Sequence, residues 1–207
     1  MVKYVQHFVP NATLGSYKGV IILDNLKKAV FIDMQGTLGG TGVDNISTFD
    51  FYPFSINAIK KLNKSGYLAI VITNQSDISR GYISQKDFDD KMNILHSKLA
   101  EDGAYLDDVY YCPHTKEDNC TCKKPLTGLI DKAVEEHNID LKHSFVIGDI
   151  GMADIVLARN IGAKGILVLT GAGKGSMSEY RNTWLNYEAD YIAENILEAV
   201  NWILCNE

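Results

Sequence analysis

Cys112-Pro-His114 and Cys120-Thr-Cys122, with Lys123-Lys124-Pro125 directly behind them, gather three of the four cysteines and one histidine within eleven positions. Thiolate and imidazole are the ligands Zn²⁺ prefers, and four of them close a tetrahedral site with no open position. The spacing predicts a structural zinc on Cys112, His114, Cys120 and Cys122, clamping a loop too polar to fold by itself. A disulfide is the competing reading. A bridge inside Cys-x-Cys is strained, and one from Cys112 to either partner leaves a thiol over. Two lysines leaving such a clamp are held in fixed positions, as an anion site requires. Cys205 has no partner in sequence and reads as an ordinary buried thiol.

A second set of reactive residues falls at the ends of short apolar runs. Asp33 follows Phe-Ile in Asp33-Met-Gln35-Gly-Thr-Leu, Thr73-Asn74-Gln75-Ser76 follows Leu68–Ile72, and Gly-Asp149 follows Ser144–Ile147, with Asp154 soon after. The run Asp108–Tyr111 leads straight into the clamp and so delivers Lys124. Each residue alone has a plain structural role available: an acid or threonine after a strand caps a helix, and Asp154 could face solvent. Together they put acids, a hydroxyl and a lysine on one edge.

That edge exists only if the runs are parallel strands. Six candidates, Ala29–Ile32, Leu68–Ile72, Asp108–Tyr111, Ser144–Ile147, Gly165–Leu169 and Tyr191–Ala193, alternate with amphipathic stretches. This is the pattern of an α/β protein with a doubly wound, mostly parallel sheet. Ile56, Ile59 and Leu62 share one helical face. Phe88, Met92, Leu95 and Leu99 share another, behind a capping box at Ser84 and Asp87 and ahead of a stop at Gly103. Further helices are expected around Leu129–Val134, Ile155–Ile161 and Ile196–Leu204. In an open parallel sheet, ligands bind outside the carboxyl ends of the strands, where these polar residues fall. Gly171-Ala-Gly-Lys174-Gly-Ser176 lacks the glycine spacing and the hydroxyl of a phosphate loop, and is expected to be a turn near the site.

The 207 residues carry 46% hydrophobic and 22% charged side chains with a net charge of −6, the profile of a globular domain. The acidic balance argues against a general nucleic-acid binder. No apolar run reaches the length of a membrane span, and the first residues lack the apolar core of a signal peptide. The expectation is a cytoplasmic monomer with no nucleic-acid or membrane partner; the charge leaves room for a small phosphorylated metabolite, which needs only a local basic pocket. Residues 1–28, with a candidate strand at Gly19–Leu23, read as an N-terminal extension, either an added edge strand or a partner-binding arm. Residues 29–207 read as one domain.

The order Asp33…Gly-Thr, Thr73, Lys124, Gly-Asp149 resembles the haloacid dehalogenase superfamily of phosphotransferases. Cys-x-His-x5-Cys-x-Cys-Lys-Lys-Pro resembles its zinc-bearing small phosphatases, those acting on D-glycero-D-manno-heptose 1,7-bisphosphate and on histidinol phosphate. The segment Ile72 to Gly81 is closer to the heptose enzymes, and the five-residue gap in the clamp is closer to the histidinol-phosphate enzymes. The interval from Leu38 to Thr73 is too short for a large cap domain.

The resemblance implies a Mg²⁺-dependent phosphatase with Asp33 as nucleophile. Asp33, Asp149 and the backbone carbonyl of Gln35 would hold the metal, with Asp154 as an outer partner. Thr73 and Lys124 would grip the phosphoryl oxygens, and Asn74, Gln75, Ser76, Arg80 and Lys123 would contact substrate. Lys123 replaces a usual arginine, so a forked contact becomes a point charge. Asp149 and Asp154 stand one residue further apart than in those relatives. The larger departure is Gln35, at the position of their general acid and base. A carboxamide does not titrate usefully, and general acid–base catalysis is worth ~10²–10⁴-fold. Asp44 or Asp77 could compensate. The alternative is a catalytically impaired phosphate-binding or regulatory protein.

Overall fold

The computed structural model describes residues 26–41 and 45–206. The candidate strand Gly19–Leu23 and Asp44 lie outside the described residues. The six predicted strands are present as β1 (Ala29–Ile32), β2 (Leu68–Asn74), β3 (Asp108–Cys112), β4 (Phe145–Gly148), β5 (Lys164–Val168) and β6 (Tyr191–Ala193). They form one all-parallel sheet in the order β3-β2-β1-β4-β5-β6. β1 is therefore central, and the chain winds outward from it in both directions.

The helices are α1 (Ser55–Lys64), α2 (Gln85–Glu101), α3 (Gly128–His137), α4 (Val156–Ile161), α5 (Gly173–Met177) and α6 (Ile196–Cys205). Alternation along the strands sorts them into two layers, because successive side chains of a strand point to opposite faces. Val30, Ile32, Ala69 and Val71 face one core with Ile59 and Leu62 of α1, Phe88 and Leu95 of α2, and Ile196 and Ile203 of α6. Ala29, Phe31, Ile70 and Ile72 face the other, with Leu129 and Ile130 of α3 and Leu157 and Ala158 of α4. Strands covered on both sides have no polar face, which is why their sequences read as unbroken apolar runs.

Local signals hold where they are strong. Ser84 accepts from the Asp87 N–H while Asp87 accepts from the Ser84 N–H, a complete capping box, and Gly103 sits just past α2 at φ 67°. Ser144 lies outside β4 because its hydroxyl is used sideways: Oγ accepts from the Ala29 N–H (3.0 Å) and donates to the Asp140 carbonyl (2.6 Å). Two expectations are corrected. The expected turn at Gly171–Ser176 contains a short helix, α5. Cys205 is exposed, because the buried stripe of α6 runs through Ile196, Ala199, Val200 and Ile203 and leaves position 205 off it. Between Leu38 and α1 the described residues form one 3₁₀ turn (Ile46–Thr48) and connecting chain, and among the described residues no cap domain covers this face.

Candidate active site

The sheet's two directions of winding diverge between β1 and β4, the place where a ligand crevice opens in such folds. Asp33 leaves β1 and Asp149 leaves β4 there, side by side, since Ile32 is in register with Ile147. Asp33, Asp149 and Asp154 bring carboxylate oxygens within 4.8 Å of one another. A buried cation stands among them: Lys124 Nζ donates to Asp33 Oδ1 at 2.5 Å and to Asp154 Oδ1 at 2.6 Å. Asp33, Gln35, Thr73, Asn74, Lys124, Ile150, Ala153 and Asp154 line the crevice.

Burial pushes the Asp149 carboxyl well above the usual carboxylate range, and the charges of Asp33 and Asp154 push it further. Burial also raises Asp33, against the pull of Lys124. Burial opposes the charge on Lys124, but Asp154 and Asp33 overcome it and hold its pKa above the ordinary lysine value. The cluster therefore carries more negative charge than its one lysine balances. Asp149 Oδ1 is a buried oxygen with no hydrogen-bond partner.

Asp154, expected as an outer partner, is inside the cluster. The chain from Gly151 to Ile155 forms one π-helical turn ahead of α4. The turn swings Asp154 back under β4, where its Oδ2 accepts from the Ile150 N–H at 3.0 Å. Gly148 makes room for it: a Cβ there would meet the Asp154 carboxyl carbon at 2.1 Å.

The Gly171–Ser176 segment is a support that its sequence did not announce. The Ala172 N–H donates to Asp149 Oδ2 (2.7 Å), and Ser176 Oγ donates to the Asp149 carbonyl (2.8 Å) while accepting from the Gly151 N–H (3.3 Å). Thr37, fully buried, places Oγ1 3.5 Å from Asp33 Oδ2. Thr37 is a near neighbour of Asp33 in sequence, whereas the spacing of Ala172 and Ser176 from Asp149 gives no sign that they meet; the fold of the sheet joins them.

Several residues expected to touch substrate are occupied elsewhere. Asn74 lines the crevice, but its side chain brackets the backbone of Lys124, accepting from its N–H (3.0 Å) and donating to its carbonyl (3.4 Å). Gln75 is buried, and its Nε2 donates to both Gln35 Oε1 and Thr73 Oγ1, each at 3.0 Å. Ser76 donates to the His114 carbonyl, and Lys123 donates to both Ser76 and that same carbonyl. Arg80 pairs with Asp77 at 3.7 Å on the surface, and neither lines the crevice.

The clamp follows directly from β3. Cys112 Sγ lies 3.6 Å from Cys120 Sγ and 3.1 Å from Cys122 Sγ, with His114 Nδ1 3.7 Å from Cys112 and 3.2 Å from Cys122. Zn–S bonds of ~2.3 Å in a tetrahedron set neighbouring sulfurs ~3.7 Å apart, so these four groups surround a volume of the right size and are not disulfide-bonded. Burial pushes the Cys112 thiol up to about 12, with Cys122 adding to it. At Cys120 burial resists ionisation, but the N–H groups of Cys122 and Lys123 overcome it and bring the thiol down to about 7.

A family model of HAD-hydrolase-like proteins matches residues 121–199. The D-glycero-beta-D-manno-heptose-1,7-bisphosphate 7-phosphatase of Haemophilus ducreyi is 35% identical over 186 residues, covering 86% of this chain and 98% of its own length. A probable D-glycero-D-manno-heptose-1,7-bisphosphate 7-phosphatase of Thermoplasma volcanium is 36% identical over 136 residues, covering 65% of this chain and 93% of that protein. The crystal structure of a D,D-heptose 1,7-bisphosphate phosphatase from B. bronchiseptica, complexed with magnesium and phosphate, has the same fold. It matches with a TM-score of 0.78 over 87% of this chain and 99% of that one, at 24% identity.

Proposed function

Because the chain belongs to the HAD-like phosphatases, which are phosphoric monoester hydrolases, we propose that it hydrolyses a phosphate monoester of a sugar or small metabolite through an aspartyl phosphate on Asp33. A heptose bisphosphate is the first candidate substrate, since the similar curated proteins carry that name, and a histidinol phosphate-like ester is the second. The catalytic domain would span residues 29–207. The observation that carries the reading is the trio of Asp33, Lys124 and Asp154 beside Asp149 at the β1–β4 divergence.

The donor set suits magnesium. Hard carboxylate oxygens are its ligands, Asp149 Oδ1 is buried without a partner, and the negative charge exceeds what Lys124 balances. Asp33, Asp149 and the Gln35 carbonyl would hold it, with Asp154 beside them. When bound, it would supply positive charge against the phosphoryl oxygens. The clamp suits a structural zinc by ligand type and separation. It ties the Cys112–Cys122 loop to β3 and so fixes where Lys124 begins.

The chain's own residues divide the remaining work. Asp33 attacks phosphorus, and a carboxylate is a competent nucleophile for this step. Lys124, anchored through its backbone by Asn74, aims its ammonium at the attacking carboxylate and the incoming phosphoryl oxygens. Thr73 accepts from Gln75 and so keeps its own proton for a phosphoryl oxygen. Preorganised charge of this sort supplies most of the catalysis in phosphoryl transfer.

Gln35 favours a second reading, an impaired protein that binds phosphate without turning it over. Phosphate release from a panel of sugar and amino-alcohol phosphates with Mg²⁺ decides between them, with the Gln35→Asp chain alongside. Turnover by the unaltered chain supports the hydrolase, turnover by the variant alone supports the impaired protein, and turnover by neither removes the hydrolase and leaves the phosphate-binding protein.

A further inference from the structure

At the position next but one to Asp33, the crevice presents a carboxamide that the fold holds in place. Gln75 is buried, and its amide donates one hydrogen to Thr73 Oγ1 and the other to Gln35 Oε1, both at 3.0 Å. Gln35 is thereby tied to Gln75 in the crevice that Asp33 also lines. An amide gives up no proton near neutral pH and takes none from water. Thr73 is a hydroxyl and no useful acid or base, and the remaining polar groups around Asp33 are committed. Both Asp154 oxygens accept, one from Lys124 and one from the Ile150 N–H. Lys124 spans two carboxylates, and Asn74 brackets the backbone of Lys124. Among the described residues lining the crevice, none is placed to carry a proton between Asp33 and a leaving group or water.

An amide at the position of the acid divides phosphoryl donors by the chemistry of their leaving group. From a sugar phosphate, the bond to phosphorus breaks toward an alkoxide, which must gain a proton as it leaves. From an acyl phosphate, the bond breaks toward a carboxylate, which departs as a stable anion and needs none. We infer that this chain accepts a phosphoryl group from acyl phosphates through Asp33 and keeps it there. The inference rests on the Asp33 phosphatase reading above and specifies what Gln35 makes of it.

The step balances without a further reactant. An Asp33 carboxylate oxygen forms a bond to phosphorus while the bond from phosphorus to the donor's acyl oxygen breaks. The electron pair leaves with the carboxylate, and the products are the aspartyl phosphate and a free carboxylate anion. Hydrolysis of that aspartyl phosphate is the slow step, because water attacking phosphorus must lose a proton and Gln35 cannot take it. General acid–base help is worth ~10²–10⁴-fold, so the phosphorylated chain should outlast that of a Gln35→Asp variant by about that factor.

The test is intact-protein mass spectrometry of the full chain with Mg²⁺, first with acetyl phosphate and then with a sugar monophosphate, followed over time. Expected is one added phosphoryl group from acetyl phosphate that persists after the donor is removed, with little or none from the sugar phosphate. Asp33→Asn should abolish the label, and Gln35→Asp should shorten its life and gain turnover on the sugar phosphate. Should Gln35→Asp fail to fold, a series of aryl phosphates with the unaltered chain decides instead. Rates falling steeply as the leaving group becomes more basic support the inference, and rates indifferent to it overturn it. An unlabelled chain that turns over sugar phosphate as fast as its Gln35→Asp variant overturns the inference and leaves the hydrolase standing. No label and no turnover in either chain with any donor overturns both.

Discussion

The carboxylate cluster and the cysteine clamp both stand at the carboxyl ends of strands in one sheet, yet they are assembled by opposite means. The cluster draws Asp33, Lys124 and the pair Asp149 and Asp154 from three separate stretches, and strand register, the Asn74 bracket and the π turn bring them together. The clamp draws its four groups from a single loop, where spacing alone brings them near. The cluster works against the fold, since three acids crowd one lysine away from water. The clamp works for it, provided a metal fills it. A site built by the sheet tolerates electrostatic strain because its core is formed elsewhere; a site built by a loop must supply its own order.

The largest effect that would break this contrast is at the nucleophile. Asp33→Asn should remove all phosphoryl transfer while leaving the fold intact, since it also relieves crowding among the acids; circular dichroism and phosphate release read the two sides. Retained activity would place the chemistry elsewhere.

Lys124→Met comes next. Removing one partner of a buried pair costs ~3–5 kcal/mol because the opposite charges are left uncompensated. Here two carboxylates are stranded at once, and denaturant unfolding should show the loss. A loss below 1 kcal/mol would mean that the acids are already relieved by protonation.

Stripping the clamp tests the other region. A ligand present at 100 times its Kd stabilises by about 2.7 kcal/mol, so a chelator, or Cys120→Ser, should lower the unfolding midpoint by an amount that depends on zinc concentration. Metal analysis that finds no zinc, with stability untouched, would remove the clamp from the argument.

The smallest effect sharpens the comparison within the cluster. Ser176→Ala deletes the hydroxyl that bridges the Asp149 carbonyl and the Gly151 N–H. It should cost ~1 kcal/mol of stability by unfolding measurements. It should also weaken Mg²⁺ binding more than Ser84→Ala, which removes a cap of similar worth far from the site.

The strands and the clamp were legible because their signals are local. An apolar run buried on both faces, or four soft ligands in eleven positions, needs no knowledge of the rest of the chain. The roles of Gln75, Ala172 and Ser176 were not legible. Gln75, expected to contact substrate, donates to Gln35 and Thr73, and nothing in the segment 171–176 announces that it supports Asp149. Asp154 lies between these cases. Its sequence interval suggested a looser role, and the π turn converted the same interval into direct contact with Lys124.

The sequence by itself determined the fold class, the order of the reactive residues and the chemistry each can perform, including the amide at position 35 that cannot move a proton. Those properties belong to residue type and to periods of two and 3.6 residues. The tertiary structure alone decided which of those residues meet. The distances that matter join positions as far apart as Asp33 and Lys124, or Asp149 and Ala172, and are set by strand register and by one helical turn. A side chain's orientation depends on everything packed around it, and no window along the chain contains that.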